Sequence, residues 1–229
     1  MEVSRNTSPN IKFLKQVRKL ANKKNIILIF DECTSGFRQS FGGLHLSINI
    51  IPDIAIFGKA LGNGYPITAV IGKNSVMESA KKSFMSSTFW TERIGPTAAL
   101  KTLEIMEKDK TWQKITQLGK KLIQIWKKIA KRHKLKIKIF GLPSLAKFTI
   151  ESKHSQEYKT FITQEMLNKG FLASNAVYMS TAHNDKILKE YEGILDEIFY
   201  KISLCERQKI SIKDILKNPT SYLPFGRLN

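Results

Sequence analysis

Pro52-Asp53-Ile54-Ala55-Ile56-Phe57-Gly58-Lys59-Ala60-Leu61-Gly62-Asn63-Gly64-Tyr65-Pro66 sets the fold of this chain. The apolar run Ile54–Phe57 has the length and texture of a buried strand, and it ends in Gly58 followed by a single lysine, Lys59. Three glycines and a proline surround that lysine, so the backbone can bend sharply and approach a ligand closely. In open α/β sheets, ligands bind at the carboxyl ends of the strands, which is where Lys59 stands. Partial burial there would make its amine available as a nucleophile toward a carbonyl group. With 38 Lys+Arg in the chain, composition alone would make any one lysine a solvated surface residue. The neighbours of Lys59 decide between the two readings.

The 229 residues suffice for one large domain or two smaller ones, and the 42% hydrophobic and 25% charged content is that of a globular protein. No apolar run approaches the ~20 residues needed to span a bilayer, and Met1–Asn6 lacks the pattern of a secretory signal. Cys33 and Cys205, neither in a C-x-x-C pair, rule against a disulfide framework or a structural zinc site. A cytoplasmic protein is expected. The net charge of +19 admits a basic nucleic-acid-binding protein as a remote alternative. Yet the lysines (Lys12, Lys15, Lys19; later Lys120, Lys121, Lys127, Lys128) alternate with apolar positions, as on solvated helix faces.

Working outward, Ser8-Pro9 reads as N-cap and first residue of an amphipathic helix reaching about Lys24. Ile26–Phe30 follows as a wholly apolar run, expected to be a strand of a parallel sheet covered on both faces, and it ends in Asp31-Glu32. A loop with Gly36, Gly42 and Gly43 leads to Ile54–Phe57. Pro66–Gly72 is a third strand, and a short helix runs from Asn74 or Ser75 to Lys82. Gly95-Pro96 opens another helix. A basic helix from Thr111 to His133 carries a core stripe of Trp112, Ile115, Leu118, Leu122, Ile123, Trp126 and Ile129. Beyond His133 the texture changes: strands at Lys136–Phe140 and Leu145–Ile150, a helix at Ser155–Lys169 stopped by Gly170, extended chain at Phe171–Tyr178, and a helix at Asp185–Ser203. The division is expected near residue 134, with an α/β part over 1–134 and a smaller α+β domain over 135–229.

Asp31 and Lys59 thus end consecutive apolar strands. Parallel strands put their carboxyl ends on one edge, so both side chains can face one crevice. Such a pair meets the needs of pyridoxal phosphate: an amine for a Schiff base, and a carboxylate that keeps the pyridine nitrogen protonated. A P-loop around Gly58-Lys59 is excluded, because it would need glycine where Asp53 stands and Ser or Thr where Ala60 stands.

Phe30-Asp31-Glu32-Cys33-Thr34-Ser35-Gly36-Phe37-Arg38 resembles the D-E-V-x-x-G-F-R segment of class-III pyridoxal-phosphate-dependent aminotransferases. Pro52–Pro66 resembles their Schiff-base lysine segment, in the family's order and at its usual separation. The Phe-Arg ending is more similar to the glutamate-1-semialdehyde 2,1-aminomutase branch. Ser87-Thr88-Phe89, Gly141–Ala146 and Phe225–Asn229 also resemble this family. The resemblance implies the aspartate aminotransferase-like, fold type I large domain followed by the small C-terminal domain. It implies Lys59 as Schiff-base lysine and proton shuttle, Asp31 as partner of the pyridinium nitrogen, and Thr88 as a phosphate ligand reached across a homodimer interface. The expected partners are a small-molecule amino donor and acceptor, with neither nucleic acid nor membrane.

Glu32 reads as structural support and Cys33 as a packing residue. His45, His133, His154 and His183 match no ligand spacing. Arg93 is a fixed ion-pair partner or, alternatively, a contact for a substrate carboxylate. The loop after Thr88 is longer than the family's usual asparagine-proline turn. The family's earlier half, with its phosphate-cradling loop and the aromatic ring that stacks on the pyridine, finds no match here. The resemblance therefore covers the C-terminal portion of such an enzyme, and a catalytically inactive, N-terminally truncated product is the alternative.

Overall fold

Asn10 opens the first helix of the computed structural model, which describes residues 10–85, 88 and 91–221. Its side chain accepts the Phe13 N–H at 3.1 Å, fixing the start of α1, Ile11–Lys24. The start expected at Ser8-Pro9 is corrected accordingly: those residues lie outside the described ones, and the side chain in reach of the third helical N–H is that of Asn10. Asn25, at φ 53°, ends the helix by donating to the Ala21 carbonyl. Lys23 and Lys24 lie in the last turn, where the helix dipole favours cations.

The chain divides into two compact units, Met1–Thr116 and Gln117–Asn229. In the first, β1 (Ile29–Asp31), β2 (Ile54–Phe57) and β3 (Ala69–Gly72) form one sheet in the order β1-β2-β3. β1 and β2 are parallel, with Ile29 opposite Ile54 and Asp31 opposite Ile56. β3 returns antiparallel, with Phe57 opposite Ala69. The sheet is therefore mixed, because the short connection from β2 to β3 returns along the same edge instead of crossing over.

The strand expected over 26–30 is also shorter, and it is not covered on both faces. β1 lies at the sheet edge and Ile29 remains 51% exposed. Ala55 and Phe57 of β2 point to the covered face, where Phe37, Leu61 and Ala99 complete a small core. Ile29, Ile54, Ile56 and Val70 share the other face by register, and none of the four is buried.

A helix that the sequence did not announce, α2 (Leu44–Ile48), interrupts the expected loop before β2. After β3 come α3 (Asn74–Met77), a 3-10 turn over Glu78–Lys82, and α4 (Ile94–Asp109). Glu92 accepts the Gly95 N–H at 3.0 Å and also the Ile94 N–H, so a carboxylate satisfies the first free donors of α4. The first turn of α5 (Thr111–Arg132) belongs to this unit, with Trp112 stacked on Phe41 at 5.4 Å.

The second unit takes most of α5 with an antiparallel sheet of β4 (Ile137–Phe140), β5 (Leu145–Ile150) and β6 (Ala176–Tyr178), ordered β4-β5-β6. The change of texture after His133 thus marks the first strand of this unit, whose packing already includes α5. The helices α6 (Ser155–Asn168), α7 (Asp185–Glu206) and the short, unforeseen α8 (Ile212–Ile215) complete it. Gly170, at φ 80°, closes the turn after α6 in a conformation that side chains resist.

Leu122, Trp126 and Ile129 of the stripe are completely or almost completely buried, Trp126 packing on Phe148 at 4.8 Å and Phe148 on Phe199 at 5.6 Å. The indole N–H of Trp126 donates to the buried Tyr191 hydroxyl at 3.0 Å. On the solvated side Lys121, Lys128 and Arg132 of α5 pair with Asp185, Glu192 and Asp196 of α7 at 2.7, 2.7 and 2.6 Å. Exposed pairs of this kind each contribute about 0–1 kcal/mol, so the buried stripe, not the ion pairs, joins these helices.

Gly119 of α5 lies directly on the loop before β5. A Cβ there would stand 1.9 Å from the Pro143 carbonyl oxygen, a backbone atom that cannot swing away. Gly119→Ala is expected to cost about 3 kcal/mol in urea unfolding of the full chain, the upper end of overpacking penalties. A loss below about 1 kcal/mol would show that the loop yields freely.

Candidate active site

The parallel pairing of β1 and β2 brings Asp31 and Lys59 to the same edge. Asp31 is the last residue of β1, opposite Ile56, and the ladder continues one step as Glu32 N–H donates to the Ile56 carbonyl at 2.8 Å. Lys59 begins the 3-10 turn Lys59–Leu61, two residues after β2 ends. Lys59 is exposed rather than partly buried, because its turn borders an open depression of about 510 Å³ lined by Gly64, Tyr65, Pro66, Ile67 and Thr68. Its Nζ donates to Thr34 Oγ1 at 2.5 Å, and Thr34 is itself buried.

Asp31 Oδ1 accepts the Cys33 N–H at 2.9 Å. That hydrogen bond is the main reason its carboxyl is held below the ordinary carboxylate value; desolvation opposes it and the Lys59 charge adds to it. Asp31 is exposed, so the direction of this shift identifies an ionised carboxylate without implying much stability.

Apart from glycine and asparagine, Phe37 at φ 61° and Lys59 at φ 46° take left-handed backbone angles at this edge. Each such residue costs about 1–2 kcal/mol. Phe37 is held there by burial against Phe57 at 5.4 Å and by donating its N–H to the Gly42 carbonyl at 2.7 Å. Strain of this kind gathers where surrounding structure fixes a functional residue.

The family model described as aminotransferase class-III matches residues 6–187. The chain belongs to the class-III aminotransferase family. It is 32% identical over 91% of its length to a 3-aminobutyryl-CoA aminotransferase of Cloacimonas acidaminovorans, and covers 49% of that protein. It is 26% identical over 83% of its length to a glutamate-1-semialdehyde 2,1-aminomutase of Methanocaldococcus jannaschii, again covering 49%. Among solved structures, the FumI protein of Sphingopyxis sp. MTA144, determined in its PLP internal aldimine form, superposes with a TM-score of 0.80. That similarity is at 23% identity, over 90% of this chain and 50% of that one, and shows the shared fold. The class-III aminotransferase chain thus spans about half the length of the curated relatives it matches.

Within this class-III chain, Asp31 and Lys59 stand at the ends of adjacent parallel strands, and Thr88 is exposed in a turn whose neighbours Ser87 and Phe89 lie outside the described residues. Phe225–Asn229 also lie outside them. Arg93 is exposed at the start of α4. His133 and His154 each hydrogen-bond a carboxylate, to Asp196 at 2.9 Å and Glu157 at 3.4 Å, while His183 meets Ser180 at 3.0 Å. Among the described residues no three potential metal ligands cluster, and no helix is long and apolar enough to cross a membrane.

Sequence reasoning took Glu32 as structural support but missed its partner His45, and it missed Thr34 and Asp53. Thr34 carries no signal beyond lying in the Asp31–Arg38 segment. Asp53 sits inside the quoted stretch, yet its three partners are brought from α1, Leu28 and Lys73 by folding alone.

Proposed function

We propose that this chain carries the lysine-and-aspartate part of a pyridoxal-phosphate-dependent class-III aminotransferase or aminomutase-like site, which moves an amino group between small molecules. The observation that carries the reading is the pairing of an exposed primary amine, Lys59 Nζ, with a carboxylate held ionised, Asp31, at the ends of adjacent parallel strands. This donor set fits the cofactor: an amine to hold it covalently, and an anion for a protonated ring nitrogen. Bound there, pyridoxal phosphate supplies an electron sink that acidifies the substrate carbon bearing the amine.

Lys59 does two things in this reading. Its Nζ would hold the cofactor covalently and would take the proton from the substrate carbon and return it. Thr34 Oγ1, buried and 2.5 Å away, orients that nitrogen. Asp31 keeps the ring nitrogen protonated, a task for which the Cys33 N–H prepares it by favouring the ionised form. The Thr88 hydroxyl would serve the phosphate of a second copy, making the assembly a homodimer with its site at the interface. The large-domain assignment as fold type I belongs to the same proposal.

Incubation of the full chain with pyridoxal phosphate, borohydride reduction and peptide mapping tests the site. The expected result is label concentrated on Lys59. Label spread over the chain's many lysines without preference for Lys59 would overturn the assignment.

The half-length match favours a second reading, that the chain holds this part of the site but catalyses nothing alone. Turnover of any amino donor by the purified chain would remove it.

A further inference from the structure

Glu32 is 3% exposed, next to Asp31 in sequence and turned the opposite way, into the protein. A carboxylate this deeply buried persists only where donors satisfy it. Three converge on it. His45 N–H donates to Oε1 at 3.0 Å, His45 Nδ1 lies 3.0 Å from the same oxygen, and the Ser35 hydroxyl donates to Oε2. The His45 tautomer that carries its proton on Nδ1 donates to that oxygen. Ser35 and His45 are themselves buried, and the His45 ring meets Phe30 of β1 edge-on at 6.3 Å.

The surroundings admit no side-chain atoms in two places. A Cβ at Gly43 would stand 2.3 Å from His45 Nδ1 and 2.9 Å from Glu32 Oε1. One at Gly36 would stand 2.7 Å from the Glu32 carbonyl oxygen and 2.8 Å from the Phe57 ring. The Gly36 N–H donates to that same carbonyl at 2.7 Å. Glu32 is thus clamped by side chain and backbone, and both ends of the 32–45 connection meet on its carboxylate.

We propose that Glu32, Ser35 and His45 form a positioning network that sets the turn carrying Asp31 and Thr34, and through Thr34 sets Lys59. The residues touch neither Lys59 nor the open depression; they act through the turn. Asp31 precedes Glu32 and Thr34 follows it by two, so fixing Glu32 fixes the backbone from which both side chains project. The consequence for cofactor capture rests on the function proposed above, whereas the order of the turn does not.

Two measurements on the full chain separate these. Residue-resolved amide exchange reports the turn at Cys33 and Gly36, with β5 as internal reference. Borohydride trapping reports the share of pyridoxal phosphate captured by Lys59. In His45→Leu, exchange at Cys33 and Gly36 is expected to rise at least about tenfold relative to β5, the effect of losing one hydrogen bond to a buried charge, and the Lys59 share to fall. His45→Gln, which keeps a donor toward Oε1, should restore both. Ser35→Ala carries the same comparison should His45→Leu not fold.

Unchanged exchange in His45→Leu, or equal damage in His45→Gln, would overturn the network. A wild-type chain that captures no cofactor on Lys59 would overturn the proposed function instead, with the exchange measurement still deciding the network.

Discussion

Asp53→Ala is expected to destabilise the first unit by about 3–5 kcal/mol, the usual cost of removing one partner from a buried ion pair. Asp53 is 8% exposed. Its Oδ2 accepts from Arg18 Nη1 at 2.6 Å and from the Leu28 N–H at 2.8 Å, and its Oδ1 pairs with Lys73 Nζ at 2.8 Å. The backbone reinforces the junction: Asp53 N–H donates to the Leu28 carbonyl at 2.8 Å, and Lys73 N–H to the Asp53 carbonyl at 2.9 Å. One residue therefore ties α1, the approach to β1, the start of β2 and the residue after β3. Alanine would leave a largely buried guanidinium and a backbone donor without their acceptor. Lys73 is half exposed, so its share of the cost is small.

The same residue sets a pH dependence. Hydrogen bonding from Lys73, then from Leu28 and Arg18, holds the Asp53 carboxyl well below the ordinary carboxylate range against the opposing effect of burial. A depressed folded-state value means that the stability is present above the unfolded value, about pH 4, and is lost as pH falls through the folded one. Wild-type stability should thus decline below about pH 4, and Asp53→Ala should lack part of that slope. Urea unfolding at neutral and acid pH, with amide exchange in β2 against β5 to assign the loss to the first unit, checks both. A neutral-pH loss below about 1 kcal/mol would refute the junction's importance.

The second large effect is chemical. Lys59→Ala is expected to abolish the preferred site of pyridoxal phosphate capture, leaving only diffuse labelling, because it removes the primary amine that borders the depression. Lys59→Arg should lose capture equally, since guanidinium keeps the charge but is never deprotonated in proteins. Visible absorbance of the protein–cofactor mixture and peptide mapping after reduction give the readouts. Melting behaviour should stay near wild type, because Lys59 is exposed and its side chain contributes one hydrogen bond, to Thr34. Relief of the left-handed angle at position 59 is not expected from either substitution, since alanine and arginine resist it as lysine does. Capture undiminished in Lys59→Ala would exclude the site.

Most long elements were legible because their signals are local. The Trp126 stripe and the 185–203 run obey a helical period whatever they pack on, and α7 only extends the latter to Glu206. β5 was read at its observed limits, Leu145–Ile150, since turn residues bound it on its N-terminal side and alternating burial needs no distant partner. β1 was misread in length because an apolar run does not record which of its residues find a partner. Leu28 gives its carbonyl to Asp53 and Ile54, and only Ile29–Asp31 join the ladder. The direction of β3 was equally hidden, since it depends on a short return beside β2 rather than on the residues of β3.

At the site the same division holds. Sequence by itself determined Asp31 and Lys59 at consecutive strand ends, because strand texture, glycine punctuation and two family segments are all local features. It also determined family membership, which the match over residues 6–187 shows. Only the tertiary structure decided that Thr34 holds the Lys59 amine, that Glu32 turns inward to His45, and that Asp53 joins α1 to the sheet. Hydrogen bonds between residues 13 to 35 positions apart leave no periodic trace in the chain; they exist only once backbone pairing has brought their ends within about 3 Å.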